Sequence, residues 1–499
     1  MLYGRAGCLV LLSSQRTYCF ESGASRLSRR PAVATSEPDF HVRQFVDSVL
    51  RQHQRTTVIG RGTVRALLST PLLVKYQICI CAISWVEVNQ VAANAPCEDH
   101  HSQAHCRASD SWLFGVFDGH AGSSCSRHIA RRLFDYICAS QLPLSSISQS
   151  ADLDTQLQSL DHGLNWLFTT ADIKLSEIFR HQHMLDVRRF LEDFVYKSTG
   201  SKTVRQALQA AFCRLDEDIS LQAHPDSRGK VSRPHVAVAA AGSCACVAHI
   251  RGTHLHLANT GDSMAVLGVC NERGGWMARQ LTREHCIENS SEVERVKSEH
   301  PAKELQTVLR GGRLLGSLYP LRAFGDIVYK WPSVLQEVVL HPMFGPCTPP
   351  NLHSPPYLTA DPEVFYHRLT PNDGFLVIAS DGLWDMLTPE NVVRLISDHM
   401  IGKQTLGVYE PGENTAVLEI LKELRMRKAG YDKQPLDENG ATHVVRHALG
   451  GTRSSEQYVN LAETLALPAG LARNYRDDIS LIVVYFDRDY LLTAKQQSS

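Results

Sequence analysis

Four short apolar runs in this chain each lie against an aspartate, and that placement constrains the fold more than any other feature. Trp112 to Phe117, His254 to Ala258, Phe375 to Ala379 and Ile479 to Phe486 have the length and composition of strands. Beside them stand Phe117-Asp118-Gly119-His120, Thr260-Gly261-Asp262-Ser263, Ser380-Asp381-Gly382-Leu383-Trp384-Asp385 and Arg476-Asp477-Asp478. One Asp-Gly pair is an ordinary turn. Several at strand ends, which can converge on one cleft, gather carboxylates that repel one another unless hard cations sit among them. Oxygen ligands with retained waters suit Mg²⁺ or Mn²⁺, and two such ions bridged by one carboxylate can activate water for attack on a phosphoryl group.

Elsewhere the pattern is helical or irregular. Val204, Leu208, Ala211, Phe212, Leu215 and Ile219 recur at helical spacing and predict a helix that starts near Ser201 or Thr203 and lies on a sheet. Residues 140 to 200 also read as helical. His341 to Tyr357, with Pro342, Pro346, Pro349, Pro350, Pro355 and Pro356, reads as a long surface loop. Residues 488–499 read as a flexible tail, and residues 41 to 85 carry no motif.

Charge narrows the function. With 51 Lys+Arg against 52 Asp+Glu, the chain offers no broad positive field, so nucleic acid and anionic membranes are not expected partners. The apolar stretch Val236 to Ile250 is too short for a membrane span, so the chain is not expected to be membrane-spanning. The cysteines are scattered, and Cys79/Cys81 and Cys244/Cys246 have a spacing that suits strands better than zinc, which fits a reducing compartment. At the amino terminus Arg5, Arg16, Arg26, Arg29 and Arg30 face only Glu21 before Glu37, among Ser13, Ser14, Ser22, Ser25 and Ser28. Residues 1–40 therefore read as a mitochondrial transit peptide, the alternative being a disordered tail with no targeting role.

The ordered series Glu98-Asp99, Phe117-Asp118-Gly119-His120-Ala121-Gly122, Gly261-Asp262-Ser263, Arg322-Ala323-Phe324-Gly325-Asp326, Asp381-Gly382-Leu383-Trp384-Asp385 and Asp477-Asp478-Ile479-Ser480 resembles the metal-dependent type 2C protein phosphatases, over residues 72–487. That resemblance implies an α+β fold, an α-β-β-α sandwich of two mainly antiparallel sheets flanked by helices. It implies that Asp118 bridges two metals, that the Gly119 carbonyl binds one, and that Asp381 and Asp477 complete the other. Glu98 and Asp99 would hold water beside the metals, His120 would protonate the departing serine oxygen, and Asp262 and Asp385 match a weaker third metal position of some relatives.

Asn94 stands where type 2C enzymes commonly present a phosphate-binding Arg and is expected to position phosphate with amide hydrogen bonds in place of a guanidinium, and Met264 replaces the Arg that often follows Gly-Asp-Ser, a packing difference on this reading. Asn94-Ala95-Pro96-Cys97-Glu98-Asp99, Leu314-Leu315-Gly316, Pro355-Pro356-Tyr357-Leu358-Thr359-Ala360 and Tyr475-Arg476-Asp477-Asp478-Ile479 resemble the pyruvate dehydrogenase phosphatase subgroup. The subgroup implies the phosphorylated pyruvate dehydrogenase component as substrate and the mitochondrial matrix as location. It also implies docking to the lipoyl domain of dihydrolipoyl acetyltransferase, Ca²⁺ stimulation through that complex, and a regulatory subunit.

Several competing readings stand beside this one. Cys97, His100, His101, His105 and Cys106 match no common zinc spacing. His254 and His256 alternate with leucines and read as one face of a strand, and Arg322 reads as an ion-pair partner. An inactive phosphatase-like scaffold is disfavoured because Asp118, Asp381 and Asp477 are all present. A type 2C phosphatase for branched-chain ketoacid dehydrogenase stays open, since metal motifs read the phosphate more than the protein around it.

Overall fold

The computed structural model describes residues 40–60, 81–141, 163–171, 177–196, 202–402, 415–429, 435–451 and 455–498. The strands, in chain order, are β1 Arg55–Val58, β2 Ile83–Val91, β3 His100–Cys106, β4 Ser111–Phe117, β5 Gly119–His120, β6 Leu164–Thr169, β7 Gly242–Ser243, β8 Ala245–Arg251 and β9 His254–Thr260. They continue with β10 Met264–Cys270, β11 Trp276–Gln280, β12 Leu309–Arg310, β13 Arg313–Leu314, β14 Phe324–Gly325, β15 Glu363–Arg368, β16 Asp373–Ala379 and β17 Ile479–Phe486.

Two six-stranded antiparallel sheets dominate, ordered β1-β2-β17-β16-β10-β11 and β15-β9-β8-β4-β3-β6. The Ile479-to-Phe486 run is buried at every position because β17 lies inside its sheet, with Ile482 opposite both Val88 and Ile378. Val86, Val88, Phe114, Val116, Cys246, Ala248, Leu376, Ile378, Ile482 and Val484 fill the space between the sheets. Helices 40–51, 389–400, 440–448 and 455–466 cover the outer face of the first sheet, and helices 124–140, 177–191, 204–222 and 233–240 that of the second. These are the four layers expected. Each layer is held by burial of an apolar face, at about 25 cal/mol per Å² removed from water.

The helix foreseen at Val204 runs Val204–Gln222 and starts at Thr203, whose hydroxyl accepts from Gln206 N while the Gln206 side chain accepts from Thr203 N. Four expectations need correction. Within residues 140 to 200, Leu164–Thr169 is an edge strand paired with β3, although Glu177–Leu191 is helical. The proline-rich loop contains a short helix, His341–Phe344, with Pro342 in its first turn, where a missing N–H costs nothing. Its end is also anchored: Tyr357 is buried, and its hydroxyl accepts from His353 N and Ser354 N and donates to Glu304. Residues 488–498, expected as a flexible tail, form a helix that seats Leu491 in the inter-sheet core. Cys106 at the end of β3 and Cys138 on helix 124–140 form a disulfide, where unpaired thiols were expected. Of the leader expected over residues 1–40, residues 1–39 lie outside the described residues, as does Cys79, and Phe40 already begins a helix. Within residues 41 to 85, which carried no motif, the described part up to residue 60 provides helical residues with Val46 and Leu50 in the core, and strand β1. No helix among the described residues is long and apolar enough to cross a membrane.

Candidate metal and phosphate site

Both sheets deliver carboxylates to one edge of the sandwich. Asp118 follows β4 and Asp262 follows β9 in one sheet; Asp381 follows β16 and Asp477 precedes β17 in the other; Glu98 and Asp99 lie on the β2–β3 crossover. Oxygens of Asp118, Asp262 and Asp381 lie within 4.8 Å of one another, the one grouping of metal-holding geometry among the described residues. Asp381 N also points at Asp118 Oδ2, at 3.4 Å.

Burial, followed by the charges of Asp381, Asp99, Asp262 and Asp477, pushes the Asp118 carboxyl well above the usual range. Burial and then Asp262, Asp477, Asp385 and Asp99 do the same to Asp381. Asp99 is raised by burial and by Asp478, and its buried Oδ2 has no hydrogen-bond partner. Buried and half-buried carboxylates whose strongest neighbours are other carboxylates, with one orphaned oxygen among them, are a donor set that fits hard divalent cations. Gly119 is a glycine for space, because a Cβ there would meet Glu98 O at 2.3 Å and Ser126 Oγ at 2.6 Å.

The structure separates the neighbours Asp477 and Asp478. Asp477 is exposed, whereas Asp478 is buried and works as a clamp on the crossover. Its Oδ1 accepts from Ala93 N at 2.5 Å and Asn94 N at 2.8 Å, and its Oδ2 from Glu98 N at 2.7 Å. Asn94, expected to position phosphate, turns its amide to Asp478 Oδ2 at 3.2 Å and Asp477 Oδ1 at 3.3 Å. Its donors order the carboxylates, and its remaining amide oxygen is an acceptor unsuited to a phosphate oxygen.

His120 stands on β5 beside the cluster, and its Nε2 lies 2.6 Å from Asp326 Oδ2. Burial lowers the imidazole pKa, but the charge and hydrogen bond of Asp326, with Asp262 and Glu98, outweigh it and the net shift is upward. Asp385 is exposed at the end of the short helix Asp381–Trp384 and, with Asp262, acts on Glu284. Burial first, and then those two aspartates and Glu288, push Glu284 up to about 7.

Sequence reasoning assigned no role to Glu284, Asp326 or Asp478. The last two stood inside quoted motifs, but Glu284 follows edge strand β11 with no signal of its own.

The competing features resolve as local structure. His100 meets Ser126, His105 meets Asp110 and Cys106 is in the disulfide, so the candidate zinc residues do not converge. His254 and His256 both pack on Tyr366 of β15. Arg322 forms an ion pair with buried Glu292 and donates to Asp361 O, and Met264 is in the core.

The family model for protein phosphatase 2C matches residues 179–407. The chain is 37% identical over 471 residues to pyruvate dehydrogenase (acetyl-transferring) phosphatase 2, mitochondrial, of Homo sapiens, covering 92% of this chain and 86% of that one. It is 40% identical over 426 residues to the corresponding human phosphatase 1, covering 82% and 78%. A protein phosphatase 2C homolog of Schizosaccharomyces pombe is 31% identical over 414 residues, covering 81% of each chain.

Proposed function

Because the chain belongs to the type 2C protein phosphatases, we propose that this serine/threonine phosphatase acts on the phosphorylated pyruvate dehydrogenase component in the mitochondrial matrix. The observation that carries the chemistry is the carboxylate cluster drawn from both sheets, whose members repel one another in the absence of cations.

In this reading Asp118, Asp381, Asp477 and the Gly119 carbonyl hold two Mg²⁺ or Mn²⁺ ions, and Asp262 and Asp385 serve a weaker third. When bound, such ions supply positive charge to the phosphoryl oxygens and lower the pKa of water. Asp478 fixes the crossover so that Glu98 and Asp99 face the site, where their carboxylates accept hydrogen bonds from the attacking water and orient it. His120 gives a proton to the serine oxygen as it leaves phosphorus, a task that suits an imidazole near neutral pH.

The names of the most similar relatives support the substrate and a mitochondrial location. With the Asn94 amide directed at Asp477 and Asp478, the cleft lacks a bidentate phosphate clamp at that position. Productive encounter then relies on docking elsewhere. Docking to the lipoyl domain of dihydrolipoyl acetyltransferase, favoured by Ca²⁺ and tuned by a regulatory subunit, would raise the local concentration of substrate without new contacts to phosphate.

The test is kcat/KM on phosphorylated pyruvate dehydrogenase, with and without lipoyl domain, against phosphorylated branched-chain ketoacid dehydrogenase. Preference for the latter refutes the substrate, and full activity in chelator refutes the metal chemistry. His120→Gln should slow hydrolysis of a phosphoserine peptide far more than that of p-nitrophenyl phosphate, whose leaving group needs little protonation. Equal losses would remove His120 from the acid role.

A further inference from the structure

A third, three-stranded sheet, ordered β14-β7-β5, lies beside the carboxylate cluster. Its middle residue, Gly242, pairs with His120 on one side and with Gly325 on the other. Asp326 follows Gly325, so two side chains from opposite edges of the sheet meet over a position that has none. A Cβ at Gly242 would stand 1.9 Å from His120 Nε2 and 2.3 Å from Asp326 Oδ2. The hydrogen bond between them therefore occupies the space of the missing side chain.

Asp326 holds this position in a left-handed backbone conformation, φ 51° and ψ 42°, and is only 3% exposed. Its N–H donates to Ala241 O at 3.0 Å and its carbonyl accepts from Tyr329 N at 2.9 Å, so both backbone groups are fixed. A non-glycine residue in this region costs about 1 kcal/mol or more and persists where its surroundings determine it. The nearby ammonium of Lys330 does not compete for Asp326, because it is bound by Asp216.

We propose that Asp326 is the positioning residue for His120, accepting from Nε2–H and leaving Nδ1 as the nitrogen that serves the substrate. This rests on the reading of His120 as the acid. In the step, water oxygen bonds to phosphorus and the bond from phosphorus to the serine oxygen breaks with its electron pair. Nδ1 of His120 gives its proton to that oxygen, while the proton of the attacking water passes to solvent. Serine and hydrogen phosphate result, and the imidazole, now neutral, keeps Nε2–H on Asp326. The hydrogen bond fixes which nitrogen donates and which way the ring faces.

The experiment is a double-mutant cycle read on two substrates, a phosphoserine peptide and p-nitrophenyl phosphate, with saturating Mn²⁺. Asp326→Ala should lower kcat on the peptide about 30-fold through misorientation of the acid, with KM little changed and the aryl phosphate affected less than about threefold. Asp326→Asn, which keeps an acceptor and tolerates the left-handed backbone, should recover part of the loss. Gly242→Ala, which displaces the hydrogen bond without touching either partner's chemistry, should reproduce the substrate selectivity. In a His120→Gln background, Asp326→Ala should cost nothing further. A full additional loss in that background, or equal losses on both substrates for Asp326→Asn, overturns the assignment while His120 keeps its role. Equal losses for His120→Gln itself overturn the acid reading first.

Discussion

Replacing Asp478 with asparagine should destabilise the protein strongly, while the same change at Asp477, one residue earlier, should not. Oδ1 of Asp478 accepts from Ala93 N and Asn94 N, and Oδ2 accepts from Glu98 N at 2.7 Å, Asn94 Nδ2 at 3.2 Å and Asp99 N at 3.4 Å. An amide offers one acceptor oxygen, so its NH₂ must face at least two N–H donors whichever way it is turned. Asp478 is 2% exposed, and solvent cannot replace the lost partners. Two charge-assisted bonds at about 1.5 to 3 kcal/mol each, less some relief of repulsion with Asp99, leave a net cost of about 3 kcal/mol. Asp477 is exposed, so Asp477→Asn should stay within about 0.5 kcal/mol of the parent. The assay is urea unfolding of both variants in chelator, followed by circular dichroism. An Asp478→Asn cost below about 1 kcal/mol would refute the clamp, because the loss of two such bonds cannot be that small.

The remaining expectations use the same electrostatics. The folded pKa values of Asp118 and Asp381 are raised, so their contribution to stability is complete below the unfolded value of about 3.9 and is lost as pH climbs through the folded values. In chelator, Asp381→Asn should therefore be more stable than the parent, by a margin that grows as pH rises above about 4 and vanishes with Mg²⁺. Its turnover should fall by orders of magnitude, and the margin is read from Tm against pH.

Glu292 has the opposite sign. Burial would raise it, but the hydrogen bonds and charges of Arg322 and Arg295 bring it down to about 2. Its stabilisation, of about 3 kcal/mol, is present above the unfolded value of about 4.3 and lost as pH falls toward 2. Glu292→Gln should thus cost most at neutral pH and converge with the parent in acid by calorimetry. Finally, helix 40–51 seats Val46 and Leu50 in the core, so removal of a mitochondrial leader should stop before Phe40. Amino-terminal sequencing of protein from mitochondria checks it, and a mature start beyond Leu50 would refute it.

What could be read in the sequence was what local pattern encodes. A strand that stops at an aspartate reveals an element and a candidate ligand together, and Thr203 with Gln206 marks a helix start, which is why the grouping of Asp118, Asp262 and Asp381 and helix 204–222 were legible. Partnership at a distance was not. Asp478 reads as half of a pair until five donors from the β2–β3 crossover close on it, and Asp326 reaches His120 only because Gly242 comes between them from a third strand. The motif around Asn94 gives its place beside the carboxylates, but not that its amide donates to Asp477 and Asp478. Leu164–Thr169 lacks clean alternation, being an edge strand of mixed burial, and nothing in its period separates it from a helix. The helix 488–498 is polar on its open side and reads as a tail until Leu491 finds its pocket.

The strand order has a consequence for the site. β17 comes after every other strand in the chain, yet it lies between β2 and β16 inside its sheet, and Asp477 and Asp478 arrive with it. Without it the first sheet is split down the middle and the β2–β3 crossover has no clamp. A chain that lacks β17 therefore lacks the residue that holds Glu98 and Asp99 in place, however well its earlier strands pair. Closing the first sheet and fixing the β2–β3 crossover are thus done by one segment of chain, so neither is complete without the other.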